Sequence, residues 1–447
     1  MDFREKTRAR SKSLEIQATE RDHVSIEITN DNITLQSSIK EKMESISLSH
    51  CIYKVHEQLF RGNENNYFPS LVSIGPFHNG NETHKLMQDK KWRYLNTLLN
   101  RKPYSDATLD TCIRALKRME QKSRNFYGEK IEMVSDNFVE MMLIDGCFII
   151  ELFLEFAFKS LRRRDDICFG TNDVIFKLRC DLILFENQVP FFVLEKLFHL
   201  VPIPKECNMS LVELSLCFFR KLIPENHAHF PRKISSPPQT LHLLDLIRQH
   251  YLPTSPQILS SSNTQKNIPH ATNLDSLGIR VKRAISESPF NVSFYDGELK
   301  IPSLEIHSYT EILFRNLIAM ENHYPACSKH VTSYVALMER LIQSNPDVRF
   351  FRNKEIIIDG HEREGEIVFL FQKLHVDLNV KEFYYNGLCE EINGYQSRRI
   401  GLCGIIRHVY HRTRLGVAGL SLAMLILVFL FTGVFFSTVY FLLHHFQ

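Results

Sequence analysis

Apolar residues along this chain recur mostly at three- and four-residue spacing, the period of helices packed on one face, and only briefly at the two-residue period of strands. Residues 84–99 carry Leu86, Lys90, Tyr94 and Leu98 on one helical face, and residues 106–126 carry Leu109, Ile113, Leu116 and Met119. Residues 135–158 are apolar on nearly every side, which predicts the buried central helix of a domain. Glu140, Glu151 and Glu155 fall on one narrow stripe of that helix, while Asp145 lies within its apolar arc. These four acids exclude a membrane span, at about 2.5–3.5 kcal/mol for a central Asp. Helical spacing continues over 173–185, and Pro190 fits the first turn of a helix reaching residue 200. It returns over 309–321 and 331–343.

Alternation is confined to short stretches. Residues 51–55 and 71–74 predict extended segments, the second running into the turn cluster Gly75 to Gly80. Residues 278–281, 290–295 and 298–301 alternate, with Asp296-Gly297 between the last two, a dipeptide suited to a tight hairpin turn. Residues 355–359 add a strand candidate. Between 231 and 273, SSPP, PTSP and SSSNTQKN surround one short helix (241–251), predicting a surface excursion or linker. No fixed-period repeat appears. The fold class expected is mainly α, or α+β with a small β-hairpin element: a large helical globular domain over 48–414 behind a polar, disordered arm at 1–47.

From Leu415 to Leu443 there is no charged residue. About 20 apolar residues cross a bilayer core of about 30 Å, so this run predicts a transmembrane helix with some tilt. Ser421, Thr432, Ser437 and Thr438 can bond back to helix carbonyls within lipid. Arg398, Arg399, Arg407, Arg412 and Arg414 precede the run, and only the tail 444–447 follows it. Positive residues stay inside, so a single-pass, tail-anchored protein of the plasma membrane or endomembranes is expected, with its N-terminal domain cytosolic. The charged N-terminus has no apolar signal-peptide core. Sequons at Asn81, Asn208 and Asn291 would then never meet glycosylation machinery.

Charge and cysteine narrow the classes further. The 54 Lys+Arg against 51 Asp+Glu leave +3, no diffuse drive towards nucleic acid. Ten cysteines without a CxxC pair suit small buried hydrophobes in a reducing compartment. No GxxxxGK[ST], HExxH, GxSxG or GxGxxG occurs. Asp145 and Glu186 are weak catalytic candidates, as a buried carboxylate pair with separated acidities. The preferred reading is structural, each accepting hydrogen bonds from backbone or from a basic side chain such as Arg179 or Arg315. His227 and His229 could ligate a metal, but a surface loop is the simpler account. Gly75 to Gly80 could approach an anion, but a tight turn suffices.

In order along the chain, IYKV at 52–55, LVSIGPFH at 71–78, Lys91 with Tyr94 and Leu95, DGCFI at 145–149, ENQVPF at 186–191, ATNL at 271–274 with Gly278 and Ile279, and residues 301–319 resemble the plant family catalogued as domain of unknown function 247. His56 stands where that family has proline, and Asn79 where it has a second histidine. The resemblance implies a plant protein, membrane association and no agreed activity; self-incompatibility in some grass members would imply recognition. We therefore expect a membrane-tethered, non-catalytic interaction or recognition module whose partners are the lipid bilayer and an unidentified protein, with no cofactor, metal or nucleic acid. The alternatives are a membrane-bound hydrolase or transferase using Asp145 and Glu186, and a lipid-binding scaffold reading anionic lipid through Arg398 to Arg414.

Overall fold

A computed structural model describes residues 50–101, 107–224, 240–253, 268–324, 326–360, 363–376 and 382–445. The arm at 1–47, His227, His229 and the last two residues lie outside them. The helices are α1 (Lys85–Leu99), α2 (Ala107–Arg124), α3 (Ser135–Ala157), α4 (Asn172–Leu182), α5 (Phe191–Phe198), α6 (Leu211–Phe218), α7 (Leu243–Tyr251), α8 (Ala271–Ser276), α9 (Thr310–His323), α10 (His330–Leu341), α11 (Asn345–Asn353), α12 (Glu364–Val376) and α13 (Asn386–His445). The strands are β1 (Arg280–Ala284), β2 (Ser293–Tyr295), β3 (Glu298–Pro302), β4 (Leu304–Ile306) and β5 (Ile357–Asp359).

The fold is mainly helical, and α3 is its axis. Residues 141–155 of α3 are buried without a break, and α1, α2, α5 and α6 pack around it. A second group packs α9, α10 and α12 together, with α11 against α12 and α8. β1 runs parallel to β3, and β2 antiparallel to it. Asp296 (φ 47°) and Gly297 (φ 73°) join β2 to β3 with both residues left-handed, the backbone that a two-residue hairpin loop of matching twist requires. β4 and β5 form a separate parallel pair.

Several expectations shift. The inner face of α1 is Met87, Lys91, Tyr94, Leu95 and Leu98, while Leu86 is 63% exposed. The helix is rotated because Lys91 turns inward to a buried carboxylate. In α2, Leu109 is exposed, and Cys112, Leu116 and Ser123 point inward. Glu151 and Glu155 are buried although Glu140, on the same stripe, is exposed. Every residue of α7 is buried, so the described centre of the 231–273 stretch belongs to the core rather than to a surface excursion. Residues 71–74 form no strand, and α6, α11, α12 and β4 are additions to the expected elements.

The C-terminal helix begins inside the domain, where Cys389 and Ile392 are buried. One turn on, the Tyr395 ring lies edge-on to Phe294 at 5.7 Å and covers Gly297, and Arg399 Nη1 donates to the Gly278 carbonyl at 2.8 Å. The helix then continues to His445. Its stretch Ser421–Leu442 has a mean hydropathy of 2.5 and no buried residue in its most apolar window, and is long and apolar enough to cross a membrane. The Thr432 and Thr438 hydroxyls donate back to carbonyls three and four residues earlier. Arg398 and Arg399 are exposed; the side chains of Arg407, Arg412 and Arg414 lie outside the described residues.

A Cβ on Gly297 would sit 2.4 Å from the Tyr395 hydroxyl and would be held at positive φ. Gly297→Ala should therefore destabilise the full-length protein by about 1–2 kcal/mol, the ordinary cost of an L-residue in that region. Thermal denaturation in detergent checks this, and an unchanged midpoint would contradict the turn.

Candidate functional site

Residues 70–75 form no helix or strand and pair with no strand, yet Val72, Ser73 and Ile74 are buried. Buried N–H groups need acceptors, and here side chains supply them. Asp181 accepts from Ser70 N (2.9 Å), Leu71 N (2.7 Å) and Val72 N (2.8 Å), and from the Ser70 hydroxyl. Asn187 Oδ1 accepts from Ile74 N at 2.6 Å, and its Nδ2 donates to the carbonyls of Val72 and Asp181. Asp145 Oδ2 accepts from Gly75 N at 2.8 Å. Lys91 Nζ donates to Asp145 Oδ1 at 2.6 Å and also to the Ser73 carbonyl. At Gly75, φ is +77° and a Cβ would lie 2.5 Å from the Gln188 carbonyl, so only glycine lets the segment turn here.

Asp145 and Glu186 thus bind different parts of the chain. Burial pushes the Asp145 carboxyl above the usual range, and Lys91 with the Gly75 amide pulls the other way. Its cation is Lys91, not the expected Arg179 or Arg315; Arg179 donates to the Phe218 carbonyl and Arg315 pairs with Glu311. Glu186 Oε1 accepts from Val55 N at 2.6 Å. Its other oxygen lies 3.0 Å from His78 Nε2, close enough for ion pairing but without hydrogen-bond alignment. We regard this as an electrostatic contact. His56, in the family's proline position, stacks on His323 at 4.7 Å. Gly75 to Gly80 offers no free anion cradle at its first amide, which Asp145 holds. Among the described residues, no group of three His, Cys, Asp or Glu side chains has metal-ligand spacing.

The same device recurs in the second helical group. Glu321 accepts from Val331 N and from the amide and hydroxyl of Thr332, with Arg248 Nε at 3.6 Å. Asp347 accepts from Thr272 N, the Thr272 and Ser344 hydroxyls and His270. Sequence reasoning missed Lys91, His78, Asp181, Asn187, Glu321 and Asp347 as members of these hubs. A lysine spaced four residues from both Met87 and Leu95 was the readable sign of the first.

A buried acid cluster sits at the end of α3. Glu151 is held by Arg101 Nη2 at 2.6 and 2.7 Å. One turn on, Glu155 has one oxygen without a hydrogen bond. Burial first, then the charge of Glu151 and the neighbouring Asp166, push the Glu155 carboxyl up to about 8, against the pull of Arg163. Tyr94 donates to Asp166 at 2.7 Å, and Cys168 N caps the same carboxylate.

Removing one member of a buried ion pair leaves the other charged and unpaired, so Asp145→Ala should cost about 3–5 kcal/mol. Replacing both partners, as Lys91→Met with Asp145→Leu, should recover part of that loss. Denaturant midpoints of the full-length protein check both, and an unchanged midpoint for Asp145→Ala would contradict the role assigned. For Glu155, the folded value lies above the unfolded one, about 4.3, so its stabilising effect is complete below that pH and is lost as pH rises towards 8. Glu155→Gln, a mimic of the neutral acid, should flatten the fall in stability between pH 5 and 8. Equal slopes for wild type and variant would contradict the assignment.

A family model described as a plant protein of unknown function, domain of unknown function 247, matches residues 52–429. The UPF0481 protein At3g47200 of Arabidopsis thaliana is 28% identical over 389 residues, 81% of this chain and 80% of that protein. A second Arabidopsis thaliana UPF0481 protein, At3g02645, is 22% identical over 470 residues, covering 82% of this chain and 86% of its own length. No solved structure matches. The carboxylates, amides and glycines that build the hub at 70–75 all lie inside the matched range, and the chain belongs to this plant family of unknown function.

Proposed function

We propose that this chain is a membrane-tethered, non-catalytic interaction module whose domain faces the cytosol. The observation that carries the proposal is the unburied stretch Ser421–Leu442, an apolar helix that nothing in the chain covers among the described residues. An apolar surface of that extent is stable in a bilayer and costly in water. The arginines before it, from Arg398 to Arg414, favour a cytosolic domain. Against catalysis stands the geometry of Asp145 and Glu186, whose oxygens face donors of this chain and have no common partner among them.

A protein partner is favoured over a lipid-reading scaffold by distance. Arg399 contacts the domain, and Leu415 begins the uncharged run 16 residues later (415 − 399). At 1.5 Å per residue that is about 24 Å of helix. Headgroups occupy only about 5–8 Å of each face, and a Debye length is about 8 Å. An upright helix therefore holds the point of contact clear of the headgroups.

In sealed secretory-pathway membranes, protease added outside should degrade residues 1 to about 414. Protection of the domain, or a glycan on Asn81, Asn208 or Asn291, would overturn the orientation.

A further inference from the structure

The three-stranded sheet has one face packed and the other in solvent. Val281, Leu299 and Ile301 are buried on the first, and Phe294 turns the same way to meet Tyr395. Strand alternation and register put six side chains on the second face, in two rows across the strands. Arg280, Glu298 and Tyr295 form the row next to the hairpin turn, and Lys282, Lys300 and Ser293 form the row behind it. All but Glu298 are exposed, Tyr295 to 82%.

Charge is spread unevenly between the rows. One oxygen of Glu298 accepts from both Arg280 Nε (3.1 Å) and Lys282 Nζ (2.7 Å), and the other acid beside the sheet, Asp296, lies in the turn at the same end. Lys300 has no ion pair among the described residues, and Lys282 stands beside it in register. Like charges side by side on neighbouring strands lower stability. Cations on β1 have an ordinary explanation, since charge on an edge strand guards against pairing with other chains. That explanation does not extend to Lys300, which lies on the central strand between β1 and β2. Tyr395 and Arg399 fix the sheet to the helix that carries the apolar stretch. For an upright helix the contact at Gly278, two residues before Arg280, stands clear of the headgroups, which favours a protein over a lipid as the source of negative charge. The net charge of +3 over the whole chain gives nucleic acid no such advantage.

We propose that this face is the docking surface for an acidic, extended segment of a partner protein, with carboxylates over Lys282 and Lys300 and an apolar side chain against Tyr295. The proposal rests on the reading of the chain as an interaction module, and adds to it a surface and the chemistry of the partner. Carboxylates there would offset the contact between the two lysines, and tyrosine and arginine are the residue types enriched among interface anchors.

The test uses the full-length protein in phosphatidylcholine nanodiscs and a labelled peptide of glutamates around one phenylalanine, with the corresponding glutamine peptide as control. Wild type should bind the first saturably, more weakly as salt rises, and should not bind the second. Lys300→Glu should weaken binding at least tenfold and, by removing the like-charge contact, leave the melting midpoint unchanged or higher. Lys282→Gln should also weaken binding, and Tyr295→Ser should weaken it for this peptide but not for one of glutamate alone. Lys130→Glu, a reversal at an exposed lysine outside the sheet, should bind as wild type does. No saturable binding by wild type, an equal loss in Lys130→Glu, or a lowered midpoint in Lys300→Glu would overturn the proposal. So would tighter binding of single-stranded poly-U RNA, or abolition of peptide binding in discs containing phosphatidylserine, since these assign the face to nucleic acid or to lipid. None of these outcomes depends on the protease protection that tests the cytosolic placement, so the two readings fail separately.

Discussion

The requirement that organises this protein is that the amides of Ser70, Leu71, Val72, Ile74 and Gly75 find acceptors in a place where no strand runs beside them. A sheet would supply carbonyls; here Asp181, Asn187 and Asp145 do so, from α4, from the turn before α5 and from the middle of α3. Each acceptor must then be placed to within a few tenths of an ångström, and that fixes the elements carrying them. Lys91 completes the arrangement from α1, so one segment ties the central helix to α1 and to α4. Buried charge of this kind adds little net stability against an apolar alternative, but it penalises every packing that leaves it unpaired.

The same economy of means explains why the acids of this chain are poor candidates for chemistry. A general acid or base must reach a substrate, and the oxygens of Asp145, Asp181 and Glu321 already face amides, hydroxyls or cations of the chain. Burial raises all three carboxyls above their ordinary range, which is the signature often associated with active sites. In this fold the shift accompanies structural pins. Elsewhere in the domain, Tyr395 over Gly297 and Arg399 on Gly278 bind the hairpin region to the helix that carries the apolar stretch. The domain is thereby attached to that helix through side chains as well as through the chain itself.

Much of this was legible in the sequence where periodicity and packing agree. The central helix α3, the Asp296-Gly297 hairpin and the apolar C-terminal run follow from pattern alone. The face of α1 did not, because pattern treats Lys91 as a surface residue, and only a partner 54 positions away makes its burial tolerable. Residues 71–74 alternate like a strand, yet their partners are side chains, which alternation cannot distinguish. The start of α6 carried a readable signal, Ser210 and Glu213 forming a capping box, and α11 has proline in its first turn.

Amide hydrogen exchange of Val55, Leu71, Val72, Ile74 and Gly75 in the full-length protein tests the central claim most directly. Side-chain acceptors at the core should protect these amides nearly as strongly as the middle of α3, and Asp181→Asn should lower protection across Leu71 to Gly75 together, since one hub holds them. Exchange at the rate of an exposed loop, or loss confined to the amides that Asp181 itself accepts, would contradict it.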